Sequence, residues 1–438
     1  MSIEQKKVAV IGAGPSGITA LKNLLDRGIT AVAFDRNHDI GGNWIYSEAE
    51  SHSSVFETTH IISSRSLSEY EDFPFDDFDP GVADYPSHDE LRRYFQAYGN
   101  KFNLYPHIRF GTLVQHCERR GPEEWVITFE QDGARIQETF TDLVVCNGHH
   151  WKPRIPKYAA DFAGQFLHSH QFKKAEPFRG KRVLVIGGGN SACDVAVETS
   201  RVSQKTAISM RRGYRIVPKF VFGKPADIVA QRFAWLPVRW RSKLNALLLR
   251  ILIGKNEAYG LPPADHAFGA THPTINSELL YTIRHGKVRP YPDIQRIEGH
   301  TVYFTDGRSD DYDVIIACTG FILAHPFFDP SFLDYSEGKV PLYLKMLHPE
   351  YRNLYFVGMF QPLGCIWPGA ELQARIMAAE IAGTWKRPDN IAQLIEKEVN
   401  QPHYKQVNSP RHTITVDFHL FRKELLQAWK KYRRPLAV

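Results

Sequence analysis

Two glycine-rich turns constrain this chain more than any other feature: Gly12-Ala13-Gly14-Pro15-Ser16-Gly17 and Gly187-Gly188-Gly189-Asn190-Ser191-Ala192. Each follows a short apolar, β-branched run (7–11 and 181–186) and precedes a segment of helical periodicity (16–25 and 191–200). A second apolar run, 31–34 or 206–210, closes each unit. Glycine keeps such a turn tight and lets the backbone approach a pyrophosphate, which the amide donors and dipole at the following helix N-terminus favour. Strand, turn, helix and strand in this order open a doubly wound parallel sheet. Two copies predict an α/β chain with two Rossmann-like dinucleotide-binding domains, and 438 residues give room for both.

The two copies differ where the second strand ends. The first copy carries Asp35 followed by Arg36, and the second carries Arg211 followed by Arg212. The distance from the first motif glycine agrees to within one residue. A carboxylate at that place accepts hydrogen bonds from free ribose hydroxyls and repels a 2′-phosphate, whereas a guanidinium can bind the phosphate bidentately. The first turn, with Gly12, Gly14, Pro15, Ser16, Gly17 and Asp35, is therefore expected to take FAD, with NAD as the alternative. The second, with Gly187, Gly189, Asn190, Ser191, Asp194, Arg211 and Arg212, is expected to take NADPH. Two such sites imply a flavin reduced by a nicotinamide. Gly41-Gly42-Asn43-Trp44 follows Asp35 closely and could let the chain pass beside a flavin, with Trp44 packed near its ring.

Trp151-Lys152-Pro153-Arg154-Ile155-Pro156 breaks regular structure and marks a boundary. The expected layout is an FAD domain from 1–152 and 312–438, with an NADPH domain at 153–311 inserted within it. Runs at 104–114, 125–130 and 136–140 suggest a small antiparallel insertion, and 220–275 looks like an elaboration. Phe162-Ala163-Gly164-Gln165-Phe166-Leu167-His168-Ser169-His170-Gln171-Phe172 lies between the two turns and reads as the linker setting one domain against the other.

The remaining composition excludes several classes. A net charge of +6 without a dense basic tract gives no nucleic-acid signature. The five cysteines are scattered, with no C-x-x-C, so a disulfide reductase and a zinc site are not expected, and a reduced, cytoplasmic setting is. His149, His150, His168 and His170 lack carboxylate or cysteine companions at ligand spacing, so no metal is expected. The N-terminus leaves no room for a signal peptide, and no run is long enough to span a bilayer. The apolar run 244–253 is read as packing over a substrate entrance or against a second subunit, with a membrane surface as the alternative; a homodimer stays open.

Taken in order, the first turn, the F-x-G-x-x-x-H-x-x-x-F pattern of Phe162, Gly164, His168 and Phe172, and the second turn resemble the flavin-containing monooxygenases, the class B flavoprotein monooxygenase family. His52-Ser53-Ser54, Asp72-Phe73-Pro74-Phe75, Tyr85-Pro86-Ser87-His88, Ala317-Cys318-Thr319-Gly320-Phe321 and the run from Gly358 to Gln373 are similar as well, so the likeness covers nearly the whole chain. The resemblance implies an FAD-dependent NADPH monooxygenase of the N,N-dimethylaniline type, working through a C4a-(hydro)peroxyflavin on an amine nitrogen or sulfur with O2. It further implies that Arg36, Asn43, Val114, Gln361 and Gln373 lie near a cofactor. One departure stands out. Where the family has a flavin-contacting Asn, Ile62 stands here, followed by Ser63 and Ser64, either of which could substitute as the catalytic donor. The resemblance leaves two alternatives: Baeyer–Villiger oxygenation of ketones, disfavoured because Phe172-Lys173 replaces that relative's Trp-Pro, and a largely uncoupled NADPH oxidase or non-oxygenating flavoprotein.

Overall fold

The computed structural model describes residues 5–49, 51–264, 266–268, 271, 273–403 and 413–433. In chain order, β1 (Lys7–Ile11), α1 (Pro15–Leu25), β2 (Thr30–Phe34), α2 (His88–Lys101), β3 (Ile108–Arg109) and β4 (Asp142–Val145) form the first unit. The second contains β5 (Gln165–His168), β6 (Arg182–Ile186), α3 (Asn190–Ser200), β7 (Lys205–Ser209), α4 (Ala226–Gln231), α5 (Val238–Ile253), β8 (Val288–Tyr291) and β9 (Val314–Ala317). The chain then returns to the first unit with β10 (Leu354–Phe356), α6 (Trp367–Ile381) and α7 (Phe418–Tyr432).

Two five-stranded sheets result, ordered β10-β4-β1-β2-β3 and β8-β7-β6-β9-β5, and every pairing in both is parallel. Both faces of each sheet are covered, as parallel sheets require. Val8 and Val10 point into a core with α1, α2 and α6, while Ala9 and Ile11 point into another with Trp125, Ile127 and Phe129 of the antiparallel layer. Val183 and Val185 face α3, and Leu184 and Ile186 face Val302 and Phe304. The period-two alternation of each apolar run is thus spent on two cores at once.

Three features differ from the sequence reading. The antiparallel layer is built from Leu113–Arg119, Trp125–Gln131 and Ala134–Phe140, and the start of the expected first strand goes instead to β3 of the parallel sheet. The boundary drawn at 311/312 falls ahead of β9, which lies inside the second sheet between β6 and β5. The two chain crossings run side by side instead: Pro153 bridges Phe321, and the Arg154 and Ile322 amides donate to the Gly320 and Lys152 carbonyls, both at 2.9 Å. Finally, the 162–172 segment is no free linker. Its first half is β5, the edge strand of the second sheet, paired with β9 from Gln165–Val314 to His168–Ala317. Its second half docks on the first unit, with Phe172 against Phe56 (5.3 Å between centroids) and the Lys173 ammonium donating to the Ser53 carbonyl at 2.7 Å.

Candidate active site

The internal repeat reaches further than the two turns. In the first copy β1 lies between β2 and β4, and in the second β6 lies between β7 and β9, so each turn leaves its sheet where the strand order reverses. That is the place where open α/β sheets bind ligands. Gly12 (φ +103°) and Gly187 (φ +129°) occupy equivalent positions. A Cβ on either would stand 2.6 Å from a carbonyl oxygen, that of Cys146 or Cys318, one residue past β4 or β9. No side chain fits either position.

Above the first turn is a cavity of about 230 Å³ lined by Gly12, Gly14, Pro15, Ser16, Asp35, Arg36, Asn43, Trp44, His52, Val114 and Trp367. Gly17 lies beneath it, pressed on the Gly12 carbonyl. Asp35 is buried, and its carboxylate accepts from the Ala13 amide at 2.6 Å and the Asn37 amide at 2.8 Å. Burial pushes its pKa up, against the pull of those two N–H groups. Two observations fit a dinucleotide here. Gly14 and Gly42 approach backbone to backbone, opening a path that a Cβ on Gly42 would close against Gly14 Cα at 2.8 Å. The buried Nδ1 of His52 has no protein partner on the cavity wall.

A larger cavity of about 300 Å³ adjoins the first, sharing Asn43, Trp44, His149, His150, Ile366 and Trp367 with it. It continues to the second turn, where Gly189, Asn190, Ser191 and Asp194 line it at the N-terminus of α3. Asn276 Nδ2 donates to Asp194 Oδ1 at 2.7 Å, and the Ile275 amide donates to Asn190 Oδ1 at 2.6 Å. Burial raises the Asp194 carboxyl to about 6, opposed by the Lys219 charge and the Asn276 bond. Arg211 is exposed and Arg212 half-buried over Tyr214, 5.8 Å from its ring centroid. Both stand at the carboxyl end of β7, beyond the cavity wall but beside the turn it serves, since the Gly187 amide donates to the Ser209 carbonyl.

Other expected residues part company. Ile62 lines the large cavity, and so does Ser63, whose hydroxyl is paired with Ser68 Oγ at 2.8 Å. Ser64 does not reach it: its amide donates to Asp227 Oδ2 at 2.6 Å. Gln361 lines the cavity and meets His149 Nε2 at 3.1 Å. Gln373 departs from the expectation: it is fully buried in α6, its amide nitrogen donating to the Leu344 carbonyl at 2.8 Å and its oxygen accepting from the Gly358 amide at 2.9 Å, and it lines neither cavity. Sequence reasoning also passed over His52, Asn276 and Trp367. His52 and Trp367 stand in segments already noted for their likeness to the family; Asn276 carried no signal, since only folding brings it to α3.

The two glycine turns therefore open on two adjoining cavities that share Asn43, Trp44, His149, His150, Ile366 and Trp367. The sequence matches the flavin-binding monooxygenase-like family over residues 5–430. This chain belongs to that family. It is an enzyme, a flavoprotein monooxygenase of the class that works with FAD and NADP. Flavin-containing monooxygenase 5 of Rattus norvegicus is 33% identical over 94% of this chain and 81% of its own length. Dimethylaniline monooxygenase [N-oxide-forming] 2 of Oryctolagus cuniculus is 31% identical over 90% and 77%. Among solved structures, S-allyl-L-cysteine S-oxygenase from Allium sativum shares the fold with a TM-score of 0.72 at 22% identity, over 98% of this chain and 90% of that one. A cyclohexanone monooxygenase does so with a TM-score of 0.74 at 16% identity, over 97% and 98%. Among the described residues, no helix is long and apolar enough to cross a membrane and no His, Cys, Asp or Glu group could hold a metal ion.

Proposed function

We propose that this flavoprotein uses NADPH and O2 to oxygenate nitrogen or sulfur in small nucleophilic molecules. The observation that carries the reading is a pair of adjoining cavities with a shared wall, one at a turn backed by Asp35 and the other at a turn backed by Arg211 and Arg212. Bound there, the flavin supplies hydride acceptance and oxygen activation, the chemistry side chains cannot perform. The residues of this chain bind, orient and exclude water. Gly12, Gly14, Ser16 and the N-terminus of α1 would hold the FAD pyrophosphate, with Asp35 toward the ribose. Ser191 and the N-terminus of α3 would hold the nicotinamide dinucleotide, with Arg211 and Arg212 toward its 2′-phosphate. Trp44, Ile62, Ile366 and Trp367 give the wall between the two turns an apolar patch that would help exclude water.

A second reading is favoured by Ile62. Its side chain offers the cavity no hydrogen bond, the Ser63 hydroxyl is paired with Ser68, and Ser64 does not line the cavity. On this reading a large share of NADPH ends as hydrogen peroxide. One experiment tests both: NADPH consumption with a tertiary amine, a thioether and a cyclic ketone, with oxygenated product and peroxide counted together. N-oxide or sulfoxide formation supports oxygenation. Lactone or ester as the main product would replace it with ketone oxygenation, and peroxide matching NADPH with every substrate would leave an oxidase. Ile62→Asn is expected to raise the ratio of oxygenated product to peroxide.

A further inference from the structure

Among the described residues, the wall of the larger cavity carries one carboxylate, Asp194, and one guanidinium, Arg154, with no Glu or Lys. Asp194 belongs to the second turn and is bonded to Asn276. Arg154 belongs to neither turn. It stands on the first crossing between the units, where both of its backbone polar groups are spent: the amide donates to the Gly320 carbonyl at 2.9 Å, and the carbonyl accepts from the Thr319 hydroxyl at 2.5 Å. The residue is half-buried, and among the described residues its guanidinium has no hydrogen-bond or ion-pair partner. The next cavity along gives the contrast. It is apolar, about 170 Å³ in volume, lies under α5 against Leu248, Leu249 and Leu252, and shares Ile62, Ser63 and Gly364 with the larger one. Its arginine, Arg241, is ion-paired with Asp417. A guanidinium withdrawn from water is costly to leave unpaired. An arginine on a cavity wall without a protein anion therefore points to an anion that arrives with the ligand.

We propose that Arg154 binds a carboxylate of the substrate, so that the enzyme prefers nucleophiles bearing a carboxylate to neutral ones. This rests on the oxygenation reading above and narrows its substrate class. The cofactor has no need of this arginine, because the N-terminus of α3 and the Arg211–Arg212 pair are matched to the phosphates of the nicotinamide dinucleotide. A guanidinium takes a carboxylate through two parallel N–H···O bonds, which fixes the direction of the rest of the molecule as well as its affinity. Phe321 and Leu323, on the crossing that pairs with Pro153, line the same cavity and give a short carbon chain an apolar surface. His150, a few residues before Arg154, belongs to the wall shared with the first cavity, where the flavin would stand. A carboxylate held at Arg154 thus directs the reacting atom along this wall. In the reaction one oxygen atom of O2 passes to that atom and the other leaves as water, with NADPH giving a hydride and solvent a proton; the carboxylate is held and unchanged.

The test uses the full-length FAD-loaded enzyme with NADP+ present and two thioethers that differ chiefly in charge, 3-(methylthio)propanoate and its methyl ester. Calorimetric titration reads binding, and sulfoxide formation with NADPH and O2 reads turnover. Wild type is expected to bind the acid about 30-fold more tightly than the ester, the usual strength of a charge-assisted pair. Arg154→Gln is expected to bring that ratio close to one, and Arg154→Lys, which keeps the charge and loses the fork, to fall between. Equal binding of acid and ester by wild type overturns the proposal. So does a loss in Arg154→Gln that acid and ester share, or one that NADP+ shares, since the arginine would then serve the wall or the cofactor. Failure of the oxygenation reading looks different. Acid bound through Arg154, with peroxide and no sulfoxide from either compound, would remove oxygenation and keep the carboxylate site. Sulfoxide from both compounds, bound equally, would do the reverse.

Discussion

Arg211 and Gln373 show how differently two residues behave that the sequence suggests for cofactor binding. Arg211 is exposed at the end of β7 with its guanidinium available to a 2′-phosphate. Charge-assisted bonds of that kind contribute about 2 kcal/mol, or about 30-fold. Arg211→Ala is therefore expected to raise KM for NADPH about 30-fold and KM for NADH less than threefold; equal losses would remove the 2′-phosphate role. Gln373, by contrast, closes two buried backbone groups, Gly358 N–H and Leu344 C=O. Gln373→Ala leaves both unpaired and is expected to cost about 2–4 kcal/mol in urea unfolding with FAD stoichiometry unchanged. His168 belongs with Gln373. Its Nε2–H donates to the Gly320 carbonyl and its Nδ1 accepts from the His170 amide, both at 3.1 Å, which fixes the neutral ring. Burial, outweighing the Gly320 bond, lowers its pKa to about 4. The unfolded ring takes up a proton near 6.5, so this contribution to stability is complete above that pH and is lost as pH falls toward 4. The stability difference between wild type and His168→Gln is expected to shrink by roughly 3 kcal/mol between pH 7.5 and pH 4. A difference independent of pH would mean that the ring is not held neutral.

The element scale is where the sequence is most legible, and the two glycine turns show why. Residues of a strand–turn–helix unit meet their neighbours within about two dozen positions, so local pattern carries their geometry. The third strand of each unit does not obey that limit. β4 and β9 return after long insertions, and nothing local says that Cys146 and Cys318 cap equivalent strands. The misplaced boundary at 311/312 and the reading of β5 as a linker have this one cause: pairing partners of edge and returning strands are set by tertiary contact, not by periodicity. The candidate site divides along the same line, since Asp35 and Ser191 are suggested by spacing, whereas Asn276 reaches Asp194 only through the fold. The equivalence has a testable consequence. Gly187→Ala is expected to disturb only the second unit, with FAD content near that of wild type and NADPH binding at least tenfold weaker, because φ +129° and the Cys318 carbonyl exclude a methyl group there. Gly12→Ala is expected to do the reverse and yield flavin-poor protein. Loss of FAD from both variants alike would show that the units do not fold independently around their turns.

At the scale of the whole molecule, the two units are joined by more than their paired crossings. The segment between β7 and β8 leaves the second unit and grips the first. Asp227 receives the Ser64 amide, the Tyr85 hydroxyl donates to the Lys219 carbonyl, and Arg241 of α5 forms a buried ion pair with Asp417, which also caps α7 through the Leu420 amide. Arg241 and Asp417 both wall the apolar cavity under α5. A buried pair adds little net stability over an apolar one, because desolvation offsets the attraction, but removing one partner strands the other charge and costs about 3–5 kcal/mol. Arg241→Met is therefore expected to loosen the grip locally. Hydrogen exchange should accelerate in α4, α5 and the first turn of α7 while the β6 amides, deep in the second sheet, keep their protection. Adding Asp417→Asn removes the stranded charge, keeps a side chain able to cap α7, and is expected to recover more than half of the lost protection. If the single and double variants exchange alike, the pair does not hold the strap, and the apolar contacts of Leu248, Leu249 and Leu252 must hold it instead. If β6 exchanges faster as well, the strap is not a separable element, and the two units unfold as one.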